Sequence, residues 1–373
     1  MLKDNSFFSQ GSYGCVSHPP LKCPASSKGD HKPPHQGEGK MENKMVSKLV
    51  RNDVFAKNEL HMGMKLKEIL KQEAGKLPKK KDTSPPSFLF YTKSCDVHGS
   101  ELNDRHYKKC NILHKENTSS YVILYGQYVR SMTLSQYFST HTSLQKFYDF
   151  FVFSLKIIRI FLKHKIIHKD LKENNIVVTK ENTFHVVDFG NSMDVSKYLN
   201  DRGELVFKGR ISELFPFFVY APYHHYWSPG YHLICYLFRC IHRKQTIQDR
   251  HLRDICGHIT NDNLIYKTEK ERLDGNADIY AYFIKKCAGL KMRGDYINYN
   301  EKKYLKCIEI LCRGSRASWD SYAICYSSLR LLHRGNHSNL PITKVVLDGL
   351  HYDCRKRLKL NALIKAFHKC VKM

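Results

Sequence analysis

Between Asp53 and Ala74 apolar side chains recur at three- and four-residue intervals, with Phe55, Met62, Leu66 and Ile69 forming one stripe among polar residues. That is the period of an α-helix, so the segment reads as an amphipathic helix whose start Asn52 or Asp53 can cap. Glu59 interrupts the pattern, for it lies on the apolar stripe, four residues after Phe55 and three before Met62. A carboxylate turned inward needs a cation, and Met45–Val50, an adjacent strand, offers Lys48; Lys44 and Lys40 are its rivals. Tyr121–Tyr125 reads as a buried strand and Ser143–His164 as a long apolar helix. Two short β-rich runs, Ile176–Val178 and His185–Val187, flank Lys180-Glu181-Asn182 as a hairpin. Ala323–Leu332 reads as a further apolar helix, and the Pro-, Gly- and Lys-rich stretches 17–43 and 75–87 read as loops.

Candidate chemistry gathers where the long helix meets the hairpin. Residues 166–175 read Ile-Ile-His-Lys-Asp-Leu-Lys-Glu-Asn-Asn, and Asp188-Phe189-Gly190 begins thirteen residues after the last Asn. The two segments supply a carboxylate (Asp170), a Lys two residues on (Lys172), an Asn five residues on (Asn175) and a second carboxylate (Asp188). Phosphoryl transfer from a nucleotide needs such a set: one carboxylate orients the attacking hydroxyl, a cation neutralises the moving phosphoryl group, and an Asn and an Asp hold Mg²⁺. This order places both carboxylates on loops held by a rigid helix and hairpin, where chemistry usually sits. Near the start of the chain, Ser9-Gln10-Gly11-Ser12-Tyr13-Gly14-Cys15-Val16 carries glycines that let a backbone lie close over phosphates.

This arrangement resembles the eukaryotic-type protein kinases, whose signature is H-R-D-L-x-x-x-N followed by D-F-G. The N-terminal run is similar to their glycine-rich loop, with Ser9 in place of the first Gly, and Met45–Val50 to their V-A-I-K strand. The resemblance implies an α+β, bilobal fold. A sheet-plus-helix lobe would cover about residues 1–128, and a mainly helical lobe 129–373, with an insertion at about 232–318. It implies ATP and Mg²⁺ as cofactors, with Gly11, Ser12, Tyr13, Gly14, Val16, Lys48 and Glu59 serving the nucleotide. Asp170 and Lys172 would be catalytic, and Asn175 and Asp188 would hold the metal. A Lys two residues after the catalytic Asp implies a serine/threonine protein kinase acting on protein substrates. His168 would pack the loop.

Several positions depart from the family. Lys169 stands where most kinases carry Arg; it keeps the charge but loses the bidentate fork, which weakens the expectation of regulation by loop phosphorylation. Neither Ala221-Pro222 nor Ser228-Pro229 is followed by the Glu that usually ends this segment, so the buried Glu–Arg pair is expected to be missing. Arg243–Asp274 is polar and insertion-like. The buried Asp beneath the catalytic loop would be Asp320 or Asp278, with Asp320 favoured by the apolar helix after it. Asp353-x3-Arg357 is similar to the D-P-x-x-R element. The runs Gly14-Cys15-Val16, Val46-Ser47-Lys48-Leu49 and Trp319-Asp320-Ser321-Tyr322-Ala323 resemble the serine/threonine kinases of large nucleocytoplasmic DNA viruses. That likeness implies a host-cytoplasm or virion setting.

Charge widens the choice of partner. The 373 residues carry a formal net charge of +26, which favours acidic partners, nucleic acid or virion components included. A kinase-fold protein that binds such partners without catalysis is therefore the rival expectation. The most apolar run, Phe150–Leu162, is broken by Lys156 and Arg159, so no membrane span is expected, and Met1–Gln10 has no secretory-signal pattern. Thirteen cysteines, an odd number without a CxxC pair, point to an intracellular, reduced protein. Cys95-x2-His98 with His106-x3-Cys110 has zinc-ligand residue types at a short spacing.

Overall fold

The computed structural model describes residues 7–11, 14–23, 44–75, 87–102, 110, 112–113, 120–141, 143–200, 204, 206–207, 209–287, 290, 296–315 and 318–371. The chain is mixed α/β, with small, largely antiparallel sheets and a mainly helical later half. It divides into two compact units, one holding the chain up to Met132 together with Asn175–Ser192, the other Thr133–Asn174 with everything from Met193 onward.

The first unit is built on a five-stranded antiparallel sheet: β1 (Phe7–Gly11), β2 (Gly14–Ser17), β3 (Met45–Arg51), β5 (Tyr91–His98) and β6 (Ser120–Gln127), in the order β1-β2-β3-β6-β5. Side chains alternate between faces along a strand, and the two faces have different partners. Leu49 turns to one face with Cys15, Cys95, Tyr121, Ile123 and Tyr125. Val50 turns to the other with Val122, Leu124 and Ala56 of helix α1 (Val54–Ala74). Lys48 is two residues from Val50 and so shares the helix-facing side. Asp53 caps α1, accepting the N–H groups of Phe55 and Ala56 at 2.9 and 3.0 Å.

The buried stripe of α1 is Ala56, Glu59, Met62, Gly63, Leu66 and Ile69, with Phe55 only partly buried. Gly63 sets how near the helix can lie to β5, because a Cβ there would collide with the carbonyl oxygen of Tyr91. The same unit contains β4 (Ser87–Phe88), β7 (Ile176–Thr179) and β8 (Phe184–Val186), with β8 parallel to β4 and antiparallel to β7. The β7–β8 hairpin turns through Asn182, a residue type that tolerates its φ of 58°. Thr179 Oγ1 accepts the N–H groups of Glu181 and Thr183 there.

Two disulfides cross-link this unit, Cys15–Cys110 and Cys23–Cys95. The expectation of a wholly reduced chain is corrected at these four positions; the other nine cysteines are free thiols, eight of them buried. The pairing also removes Cys95 and Cys110 from the zinc constellation, whose His106 lies outside the described residues.

The second unit is helical. Its helices are α2 (Leu134–Thr140), α3 (Leu144–Lys163), α4 (Pro229–Arg243), α5 (Asp249–Thr260), α6 (Glu269–Lys286), α7 (Glu301–Ser315), α8 (Trp319–Arg334), α9 (Pro341–Asp348) and α10 (Leu360–Val371). Pro229 opens α4 at a position where its missing N–H costs no helical hydrogen bond. Every residue from Pro229 to Phe238 is buried, so α4 is a central element; it packs on α7, while α3 packs on α8 and α10. Residues 229–315 supply most of one apolar core of this unit. A two-residue antiparallel pairing of Ile166–Ile167 with Met193–Asp194 holds the chain just before His168. No helix among the described residues is long and apolar enough to cross a membrane.

Candidate active-site residues

In the first unit, the helix-facing side of β3 delivers Lys48 to α1. Its ammonium donates to both oxygens of Glu59, at 3.0 and 2.8 Å, and to Asp188 Oδ1 at 3.1 Å. Lys48 and Glu59 are both buried. Burial alone would push the lysine pKa down, but the charges of Asp188 and Glu59 outweigh it and hold Lys48 above its ordinary value. Burial pushes the Glu59 carboxyl up while Lys48 pulls it back; with both oxygens on the ammonium, the two form an ion pair. Lys44 is exposed and Lys40 lies outside the described residues, so Lys48 is the lysine that meets Glu59.

Asp188 has the left-handed φ of 64°, a conformation that costs a non-glycine residue energy and persists where the surroundings impose it. Asn58, one residue before Glu59, supplies part of that constraint: its Nδ2 donates to the carbonyls of Gly190 and Ser192, each at 2.8 Å. No sequence signal singled it out. The Val187 N–H donates to the Asn175 carbonyl at 3.0 Å, tying the residue before Asp188 to Asn175. Gly14 lies so close to β3 that a Cβ would meet Val50 Cγ1 at 2.6 Å and the Leu49 carbonyl oxygen at 2.7 Å, with Lys48 Cε 3.5 Å away. Val16 pairs in register with Lys48, and Gly11 ends β1 opposite Gly14. Ser12 and Tyr13 lie outside the described residues.

The donor set fits Mg²⁺ in kind. An Asn amide and an Asp carboxylate are hard oxygen ligands, and Mg²⁺ takes few protein ligands, completing its shell with water and phosphate oxygens. The Asp188 side chain is 36% exposed and so accessible to a cation. Among the described residues no group of three His, Cys, Asp or Glu side chains gathers as a preformed metal site.

In the second unit, the segment His168–Glu173 is buried and clamped from several directions. Asp320, near the start of α8, accepts the His168 N–H on Oδ2 at 2.8 Å and the Lys169 N–H on Oδ1 at 2.9 Å. Asp320, and not Asp278, therefore lies under this loop. His168 Nδ1 accepts the Asp170 N–H at 3.3 Å, a packing and hydrogen-bonding part. Lys169, at φ 67°, donates its ammonium to the Phe217 carbonyl at 2.8 Å and sits over the Phe217 ring. Burial pulls its pKa down to about 8. Glu173 receives Tyr226 Oη at 2.5 Å and pairs with Arg330 Nε at 2.9 Å, and Trp227 Nε1 donates to the Lys169 carbonyl at 2.7 Å.

Asp170 itself has Lys172 on one side and His224 on the other. Lys172 Nζ is 2.9 Å from Oδ2, and His224 Nε2 is 3.4 Å from Oδ1. Burial works to raise the Asp170 pKa, but the His224 contact and the Lys172 charge outweigh it and bring the carboxyl down to about 2. His224 escaped the sequence reading because 54 residues separate it from Asp170.

At the far end of this unit, Arg357 is buried. It donates to the carbonyls of His351 and Tyr352 and to Ser318 Oγ, and its guanidinium covers the Tyr322 ring. Asp353 pairs with Arg355 instead. No family model matches the chain, and no curated protein matches it.

Proposed function

We propose that this chain is a serine/threonine protein kinase of bilobal fold, transferring the γ-phosphate of ATP to protein hydroxyls. The observation that carries the reading is the ammonium of Lys48 gripped by Glu59 and Asp188. A buried lysine kept charged and fixed by two carboxylates is suited to hold the α- and β-phosphates of a nucleotide. Gly11 and Gly14 allow the backbone close to those phosphates. Asn175 and Asp188 would hold Mg²⁺, which neutralises phosphate charge when bound.

Asp170, kept ionised well below neutral pH, accepts the hydrogen bond of the acceptor hydroxyl. The hydroxyl oxygen attacks the γ-phosphorus, the bond to the departing ADP oxygen breaks, and the acceptor proton passes to Asp170 and then to water. Lys172 offsets the charge on the transferred group. Lys169 is already committed to the Phe217 carbonyl, so this reading needs no loop phosphate to engage it.

A second reading, a catalytically idle kinase-fold protein that binds nucleic acid or partner proteins, is favoured by the net charge of +26. One experiment separates the two: labelled γ-phosphate transfer from Mg·ATP to a panel of acidic and basic proteins, wild type beside Asp170→Ala and Asp188→Ala. The kinase reading expects label on Ser or Thr, falling at least about a hundredfold in each variant. No transfer by folded wild type, with DNA binding that weakens steeply with salt, supports the second reading instead.

A further inference from the structure

We propose that the cavity between residues 215–220 and the last turns of α4 binds an acidic peptide segment of a partner protein, with an apolar side chain against its aromatic walls and the neighbouring carboxylates on Arg239 and Arg243. The inference stands apart from the kinase reading, since none of the residues placed in phosphate transfer lines this cavity. Its volume is about 320 Å³, at the small end of ligand cavities, which suits one or two side chains and not a folded domain.

Arg239 and Arg243 are four residues apart on α4 and so share one face of the helix. Two like charges at that spacing repel, a cost that an anion lying across both would remove. Among the described residues neither guanidinium forms an ion pair or donates a hydrogen bond within the chain, and Arg239 Nε is buried without an acceptor. His242 and Arg243 stand in the last turn, where cations complement the partial negative charge of the helix end. That accounts for those two but not for Arg239, a full turn earlier. Among the described residues no Asp or Glu lines the cavity; Asp254 of α5 acts on Tyr220 from outside it. A guanidinium offers a planar fork that matches a carboxylate.

The walls are fixed by their own packing. Phe218 stacks on Phe238 with ring centroids 4.3 Å apart, and Phe215 meets His242 edge-on at 4.6 Å. Arg239 lies over the Tyr220 ring at 5.1 Å, and Val219, 51% exposed, adds an apolar margin. A bare anion would leave these apolar surfaces in water, whereas a peptide with Phe beside Glu covers them. Bases of a nucleic acid need open ring faces to stack on, and here Phe238 and Arg239 already engage Phe218 and Tyr220.

The test is fluorescence anisotropy with the full chain and a labelled peptide in which Phe stands between two Glu residues. Wild type is expected to bind it. The same peptide with Gln in place of Glu, or Gly in place of Phe, should bind at least about tenfold more weakly. Arg243→Gln, at an exposed position, should lose about tenfold in affinity. Arg239→Lys keeps the charge but loses the fork, and should also weaken binding.

No binding by folded wild type, equal binding of the three peptides, or affinity unchanged in both variants overturns the proposal. A single-stranded oligonucleotide that binds more tightly than the peptide, and less tightly to Arg243→Gln, would assign the cavity to nucleic acid and overturn it as well. So would full displacement of the peptide by an equal concentration of inorganic phosphate, which would leave an anion site only. None of these results depends on phosphate transfer, so the kinase reading is decided separately.

Discussion

The carboxylate of Asp320 holds the backbone N–H of Lys169 at 2.9 Å across 151 residues of chain, and that of His168 at 2.8 Å beside it. Both amides are buried, and a buried donor stripped of its acceptor keeps its full desolvation cost. Asp320→Ala is therefore expected to destabilise the second unit by about 2–4 kcal/mol, and Asp320→Asn, which retains one acceptor oxygen, by less. Urea unfolding gives the magnitude. Faster hydrogen exchange at residues 168 and 169 would locate it, and unchanged exchange there would disprove the assignment.

Lys48 and Glu59 are expected to show strong coupling. Lys48→Met leaves a buried carboxylate facing Asp188 with no cation, at a cost of about 3–5 kcal/mol. Adding Glu59→Gln to that variant removes most of the uncompensated charge, so the double variant should be more stable than Lys48→Met alone. A double-mutant cycle by chemical denaturation measures the coupling; additive effects would mean that the pair is not formed in solution.

Asp170 ties stability to acid. Its folded-state value, about 2, lies below the ordinary carboxylate value because the His224 and Lys172 contacts overcome burial. The native state thus binds fewer protons than the unfolded chain as pH falls. The contribution is fully present above the ordinary value near 4 and is lost as pH falls through about 2; it amounts to about 2 kcal/mol. In Asp170→Asn the unfolding free energy should fall less steeply between pH 4 and 2 than in wild type. Parallel curves would show that the contacts do not hold Asp170 down.

The disulfides should matter to one unit only. Cys15–Cys110 and Cys23–Cys95 close chain separations of 95 and 72 residues, and cross-links over such distances contribute about 2–4 kcal/mol each by limiting the unfolded chain. Treatment with dithiothreitol is expected to speed amide exchange in β2, β5 and β6 and to leave α4 and α8 unchanged. Equal exchange with and without reductant would show that the cross-links do not stabilise this sheet.

The residues readable in the sequence share a physical property: their partners are set by local period or short spacing. Glu59 was legible because a charge on an apolar helical stripe demands a cation, and Lys48 because it sits on the neighbouring strand. Asp170, Lys172, Asn175 and Asp188 fall within one helix end and one hairpin. Asp320 was favoured over Asp278 by the apolar run behind it. Asn58 was invisible, since a polar residue at a helix flank is unremarkable until a distant carbonyl is brought to it. His224, Tyr226 and Trp227 act across more than fifty residues, and the cysteine pairings across seventy or more. Arg357 shows a further limit: nothing in the sequence marks the backbone carbonyls that receive its guanidinium, because every residue offers a carbonyl and none marks itself.

The first unit is discontinuous in the chain: Asn175–Ser192 belongs to it, while the residues before and after that segment belong to the second. Dissection by a single cut therefore cannot isolate it. A fragment ending at Met132 keeps Lys48 and Glu59 but lacks Asp188, and any continuous fragment long enough to include Asp188 carries Thr133–Asn174 with it. Reassembly of the Lys48–Glu59–Asp188 triangle from pieces would need a second peptide supplied in trans. The triangle thus belongs to one unit but not to one continuous stretch of it.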